Sequence, residues 1–144
     1  MNNQNHRWTF VRGTIISLTT PGPNTDDNFL AFAKDIAKPT TTTCLALAIG
    51  TATVSSKQRK MVADALNVNK IPCAAISDDS IVRGLITAVS WLGVNIKAFS
   101  WAHLEDAIAF LNVPAPWDVQ VREAAQELER KFQWSAKQQG QQHR

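Results

Sequence analysis

Ser77-Asp78-Asp79-Ser80 sets two carboxylates between two hydroxyls in one unbroken run. Three kinds of chemistry use such residues. Paired carboxylates can hold a divalent cation. A serine in the first turn of a helix can carry a phosphate, because the free backbone N–H groups and the helix dipole favour negative charge there. Most simply, Asp and Ser are preferred N-cap residues, whose side chains satisfy amides that a helix leaves open at its start. A metal site draws further carboxylates from another strand end, and the neighbouring loops have none, so neither a metal nor another cofactor is expected. The receiver and haloacid-dehalogenase arrangements need additional acidic or lysine positions that are missing. The turn is read first as a cap. Asp78, Asp79 and Ser80, with Arg83 one turn further on, form the candidate regulatory or interaction surface.

Two more loops carry groups worth weighing. Thr51, Thr53 and Ser55 lie in Gly50–Ser55, and Ser100 and His103 in Ser100–His103; together they form a candidate ligand loop set. GTATVSSK follows an apolar run and opens a helical pattern, but it lacks the second glycine of a phosphate-binding loop before its lysine. His103 has no cysteine nucleophile and no GxSxG elbow to work with, so triad chemistry is not expected. No nucleophile, base and orienting group can be named together. The chain is therefore read as a non-enzymatic protein with no catalytic residue.

The three loops gain meaning from the elements that precede them. Trp8 to Thr20 reads as a hairpin around Gly13. Pro21-Gly22-Pro23-Asn24 breaks the chain. Asn24 or Thr25 then caps a helix with Asp26 and Asp27 in its first turn and Phe29, Phe32 and Ile36 on its apolar face. Thr43–Ile49 is a continuous apolar run, as in a strand buried on both faces. Ser55 or Ser56 caps the next helix, and Ile71–Ile76 is the next strand. A helix from Asp79 or Ser80 to Leu92 is apolar over more than half its circumference and is expected to be well buried, with Trp91 in the core. Asn95–Phe99 and a helix carrying Leu104, Ile108 and Leu111 follow. Alternating βα units imply right-handed crossovers and a mainly parallel sheet. The expected fold class is α/β: a mainly parallel sheet with an N-terminal antiparallel hairpin, helices on both faces and an extra C-terminal helix. Loops at the carboxyl ends of parallel strands are where such sheets bind ligands.

At 144 residues the chain has the length of one domain. Residues 1–6 are expected to be disordered, 7–113 to form the α/β domain, 114–134 an amphipathic helix, and 135–144 a disordered tail. The net charge of +3 comes from scattered basic residues without interleaved aromatics, so nucleic acid is not an expected partner. No apolar run is long enough to span a membrane, and the first residues have no apolar core of a signal peptide. The default compartment is the cytoplasm. Cys44 and Cys73 sit in strand-like runs and read as reduced, buried thiols. Val121, Leu128 and Phe132 give the last helix an apolar stripe, which either docks on its own sheet or forms a homodimer.

The pieces IPCAAISDD, SIVRGLITAVSWLG, VNIKAF and HLEDAIAFL, between Ile71 and Leu111, resemble the SpoIIAA-like group of the STAS superfamily. With the N-terminal hairpin and helix, the resemblance covers about three quarters of the chain. In the anti-sigma-factor antagonists of that superfamily, a serine beside an aspartate at a helix start is phosphorylated by a partner kinase, and this switches partner binding. Asp79-Ser80 is the matching position. The SGLG that follows in those antagonists is Ile81-Val82-Arg83-Gly84 here, and an extra βα unit precedes the strand. The resemblance implies a cytoplasmic regulatory or protein-interaction domain, switched at a helix-capping serine. The broader group is compared with lipid-transfer domains, which implies the alternative of a small-molecule or lipid-binding carrier with an apolar pocket between helices and sheet.

Overall fold

The computed structural model describes residues 5–142 apart from Ala52, Trp91 and Leu92, with side chains described as far as Gln133. The expected core position of Trp91 lies outside the described residues. Five strands form one sheet: β1 (His6–Val11), β2 (Thr14–Thr19), β3 (Thr43–Ala48), β4 (Cys73–Ile76) and β5 (Ile96–Phe99). Their order across the sheet is their order along the chain. β1 runs antiparallel to β2, and the other pairs are parallel. The α/β class with an antiparallel N-terminal edge is thus as expected.

The helices are α1 (Asp26–Ile36), α2 (Ser56–Val68), α3 (Ser80–Ser90), α4 (Leu104–Leu111) and α5 (Trp117–Gln142). Each crossover from β2 to β5 advances by one strand in the same direction. Right-handed crossovers that all step the same way must place their helices on one face, so α1, α2 and α3 lie together. The opposite face is left to α4 and α5. Two apolar clusters follow from this. One joins Phe29, Phe32 and Ile36 of α1 and Leu66 of α2 to Ile15, Cys44 and Cys73. The other joins Leu104, Ile108, Val121 and Ala125 to Ile16, Leu18, Leu45, Leu47 and Ile76.

Local chemistry fixes the joints. Arg12 adopts a left-handed backbone, with φ of 54°, in the β1–β2 turn. A Cβ on Gly13 would come within 2.6 Å of Thr42 Oγ1, so the loop before β3 can pack against this turn only if residue 13 lacks a side chain. Thr25 caps α1, its side chain accepting from Asn28 N at 3.1 Å. Ser55 caps α2 in a reciprocal box with Gln58. Gln58 is itself buried, and its Nε2 donates to Asn24 O at 2.9 Å and Asp26 Oδ1 at 3.1 Å, which ties α2 to the start of α1. Cys44 and Cys73 are register partners on β3 and β4, and both are buried free thiols. The hydrogen bond shared with Cys44 and then burial push the Cys73 thiol well above its ordinary pKa. Both therefore serve as small core residues.

The structure departs from the sequence expectations in three places, and for the stripe of α5 it shows the first of the two expected outcomes. Residues 1–6 are not uniformly outside the fold: His6 opens β1 and is buried, because Phe29 and Phe32 give its ring an aromatic seat. α5 does not end at Trp134 but continues to Gln142. Ala136, Lys137, Gln138 and Gln139 favour helix and no proline interrupts them. The apolar stripe of α5 docks on its own sheet, with Val121 and Ala125 fully buried and Leu128 and Phe132 packed beside them. That surface is not left for a homodimer. Finally, α3 is not well buried. No described residue of it is buried, and Ile81 and Leu85 are 74% and 42% exposed. The reason lies in the sheet below it.

Candidate functional site

Side chains alternate between the two faces of a strand, so the register sorts every residue. Toward α4 and α5 the sheet presents Ile16, Leu18, Leu45, Leu47 and Ile76, all large and buried. Toward α1–α3 it presents Ile15, Cys44, Cys73 and Ile96 in one row, then Ser17, Ala46, Ala75 and Ala98 in the next, with Thr19 beside Ala48 beyond them. The second row crosses four parallel strands without one large side chain. Helices rest on the first row and cannot close on the second. Ala46 and Ala48 consequently remain only partly buried, although β3 is the central strand.

The space left over is a cavity of about 150 Å³ at the carboxyl ends of the strands. Its floor is Ser17, Ala46 and Ala75. Phe29 and Phe32 of α1, Val62 and Leu66 of α2, and Val82, Leu85, Ile86 and Val89 of α3 form its walls. α3 is the loosest of these walls, which explains why its broad apolar face is half wasted on solvent.

His6 closes one end. Its ring stacks on Phe29 at 4.3 Å and meets Phe32 edge-on at 4.5 Å. Asn28 Nδ2 donates to His6 O at 3.2 Å, which orients the amide so that its Oδ1 accepts from His6 Nδ1 at 2.7 Å. Burial holds the His6 pKa at about 4, below the ordinary 6.5, despite the opposing effect of the Asn28 bond. The ring is neutral at pH 7, protonated on Nδ1, and presents Nε2 as an acceptor.

The residues singled out in the sequence have different work. Asp79 caps α3: its Oδ1 accepts from Ile81 N at 2.9 Å and Val82 N at 3.4 Å. Asp78 Oδ1 accepts from Trp101 N at 2.9 Å. Arg83 Nη1 donates to Ser77 O at 2.8 Å. Ser80 is exposed in the first turn of α3, and its hydroxyl has no hydrogen bond among the described residues. Ser100 Oγ and His103 Nδ1 share a hydrogen bond of 2.8 Å. Thr51 and Thr53 are exposed, and Ser55 is the α2 cap. Trp101 gathers the three strand-end loops, since its Nε1 also donates to Ala48 O at 2.9 Å. None of the singled-out residues lines the cavity. Among the described residues no three of His, Cys, Asp and Glu converge as metal ligands, and no helix is long and apolar enough to cross a membrane.

Sequence reasoning passed over His6, Ser17, Thr19, Ala46 and Ala75. The signal was present in the alternation: Ser17 between Ile16 and Leu18, Ala46 between Leu45 and Leu47, Ala75 before Ile76. Small residues at every second position of adjacent strands mark a face that is not filled by its own sheet. Compared with known proteins, the chain matches no family model, no curated protein and no solved structure.

Proposed function

We propose that this protein is a cytoplasmic module that binds a small apolar molecule between the sheet and α1–α3, and that its fold is SpoIIAA-like. The observation that carries the ligand reading is the cavity over Ser17, Ala46 and Ala75, roofed by a helix that keeps apolar side chains in solvent. Apolar cavities with a few convergent polar groups are the usual form of a small-molecule site. An engineered cavity of similar volume, about 150 Å³, takes up benzene, so the ligand body is on the order of six to ten non-hydrogen atoms, or one segment of something longer. α3 supplies the entry. It holds its place through the Asp79 cap and the Arg83–Ser77 bond at one end, while the apolar contacts along its length are incomplete. The SpoIIAA-like assignment is supported by the quoted segments and by the repeated βα steps.

The test is binding of para-xylene to the full chain. It should raise the midpoint of thermal unfolding of the wild type, and Ala46→Leu, which puts a branched side chain on the cavity floor, should abolish the shift while leaving the protein folded. Native mass spectrometry of freshly purified wild type should show added mass that the variant lacks. Absence of both effects in the wild type would remove the ligand reading.

A second reading is favoured by one observation. Ser80 is exposed at the start of the helix that roofs the cavity, with its hydroxyl free among the described residues. A regulatory phosphate there would set negative charge beside the Asp79 carboxylate that caps α3 and would act on the least buried wall of the site, through a protein partner that reads α3. Ser80→Asp is expected to weaken capture of that partner relative to Ser80→Ala. Equal capture by the two variants would discard the switch.

A further inference from the structure

Three polar atoms are left over at one end of the cavity. His6 and Thr19 are register partners on β1 and β2, and Ser17 lies two residues before Thr19 on the same face. All three line the cavity and are buried, at 1%, 8% and 1% exposure respectively. His6 Nδ1 is engaged by Asn28. Among the described residues, His6 Nε2, Ser17 Oγ and Thr19 Oγ1 have no hydrogen-bond partner, yet the polar side-chain atoms that are both enclosed and unpartnered are those of Asn24 alone. His6 Nε2 and the two hydroxyls therefore reach open space, and the open space that these residues share is the cavity.

The charges narrow the chemistry further. Among the described residues, Arg59 is the one lining residue with a permanent charge, and two of its N–H groups are engaged, Nη1 with Val54 O at 2.7 Å and Nη2 with Ser56 Oγ at 3.0 Å. A carboxylate has no hydrogen to give to His6 Nε2 and would set its own lone pairs against that of the ring nitrogen. A plain hydrocarbon would leave all three polar atoms unpaired. A hydroxyl group answers both demands: its hydrogen goes to His6 Nε2, and its oxygen accepts from Ser17 or Thr19.

We propose that the ligand is a small uncharged hydroxyl compound, an alcohol or a phenol, with its O–H on His6, Ser17 and Thr19 and its apolar body among α1, α2 and α3. This rests on the ligand-binding reading above, and the experiment separates the two. Para-cresol and para-xylene have nearly the same shape and differ by a hydroxyl for a methyl. In a cavity without polar partners the hydrocarbon binds better, because the hydroxyl loses its water. Calorimetric titration of the full chain at pH 7.5 is expected to give the reverse, with para-cresol tighter by at least about tenfold, and 4-methylbenzoate without measurable binding. Thr19→Val and Ser17→Ala, which remove hydroxyls with little change of shape, should shrink that preference by weakening para-cresol. If para-xylene binds as well as para-cresol, or 4-methylbenzoate binds best, the hydroxyl assignment is overturned while the cavity reading stands. If none of the three binds, the cavity reading fails and the assignment with it.

Discussion

Lowering the pH from 7 to 4 is expected to weaken the fold by about 3 kcal/mol through His6 alone. The ring lies among Phe29, Phe32 and Trp8, and burial holds its pKa at about 4 against an ordinary value of 6.5. The folded chain thus resists a proton that the unfolded chain accepts. Above pH 6.5 neither state binds it and the stability is intact. Between 6.5 and 4 the unfolded state gains the proton first, and stability falls by about 1.4 kcal/mol per pH unit. Below about 4 both states are protonated and this loss is complete. Asp26 and Asp35, whose carboxyls are held below the ordinary range by hydrogen bonds led by Lys57 and Lys38, act in a lower window and are exposed enough to add little. Urea midpoints at pH 7, 5.5 and 4.5 read the effect, and His6→Gln should flatten the curve over the same range. Equal midpoints at pH 7 and 4.5 in the wild type would mean that the ring is not shielded as described.

The two faces of the sheet should respond unequally to the same kind of truncation. Leu47 is 1% exposed in the cluster with α4 and α5. Leu47→Ala removes a fully enclosed side chain and leaves a sealed void, which costs about 2–5 kcal/mol. Ile86 on α3 is only half-buried and borders space that is already open. Ile86→Ala forfeits a part of its transfer energy and seals no new void, so the expected loss is about 1 kcal/mol. Denaturant unfolding of both variants makes the comparison. A loss at Ile86 as large as that at Leu47 would mean that α3 is packed as tightly as the opposite face, and the open cavity would be excluded.

The architecture could be read from the residues because its signals are local. The apolar run Thr43–Ile49, the caps Thr25, Ser55 and Asp79, and the breaker at Pro21–Asn24 each act over a few residues. The site could not be read in the same way. Asp78, Asp79 and Ser80 drew attention by type, whereas the hydrogen bonds of the two aspartates show them holding a turn together. The cavity arises from register: Ser17, Ala46 and Ala75 are far apart in sequence and become one floor only when β2, β3 and β4 align. His6 was passed over because a polar neighbourhood hid an aromatic seat supplied by α1. α3 misled for a related reason, since its apolar face predicts burial only where the surface beneath it is equally large.

The sheet order also has a consequence for synthesis. Because strand order equals chain order, each new strand pairs with the one made just before it, from β2 through β5. No strand waits for a distant partner, and the entropy of loop closure stays small at every step. A nascent chain can therefore lay down the sheet progressively as it leaves the ribosome. α5 is the exception, for it follows β5 and folds back to cover β1 and β2. Until it is made, Ile16 and Leu18 lack a cover, so a helix that follows the whole sheet shields strands made well before it from aggregation.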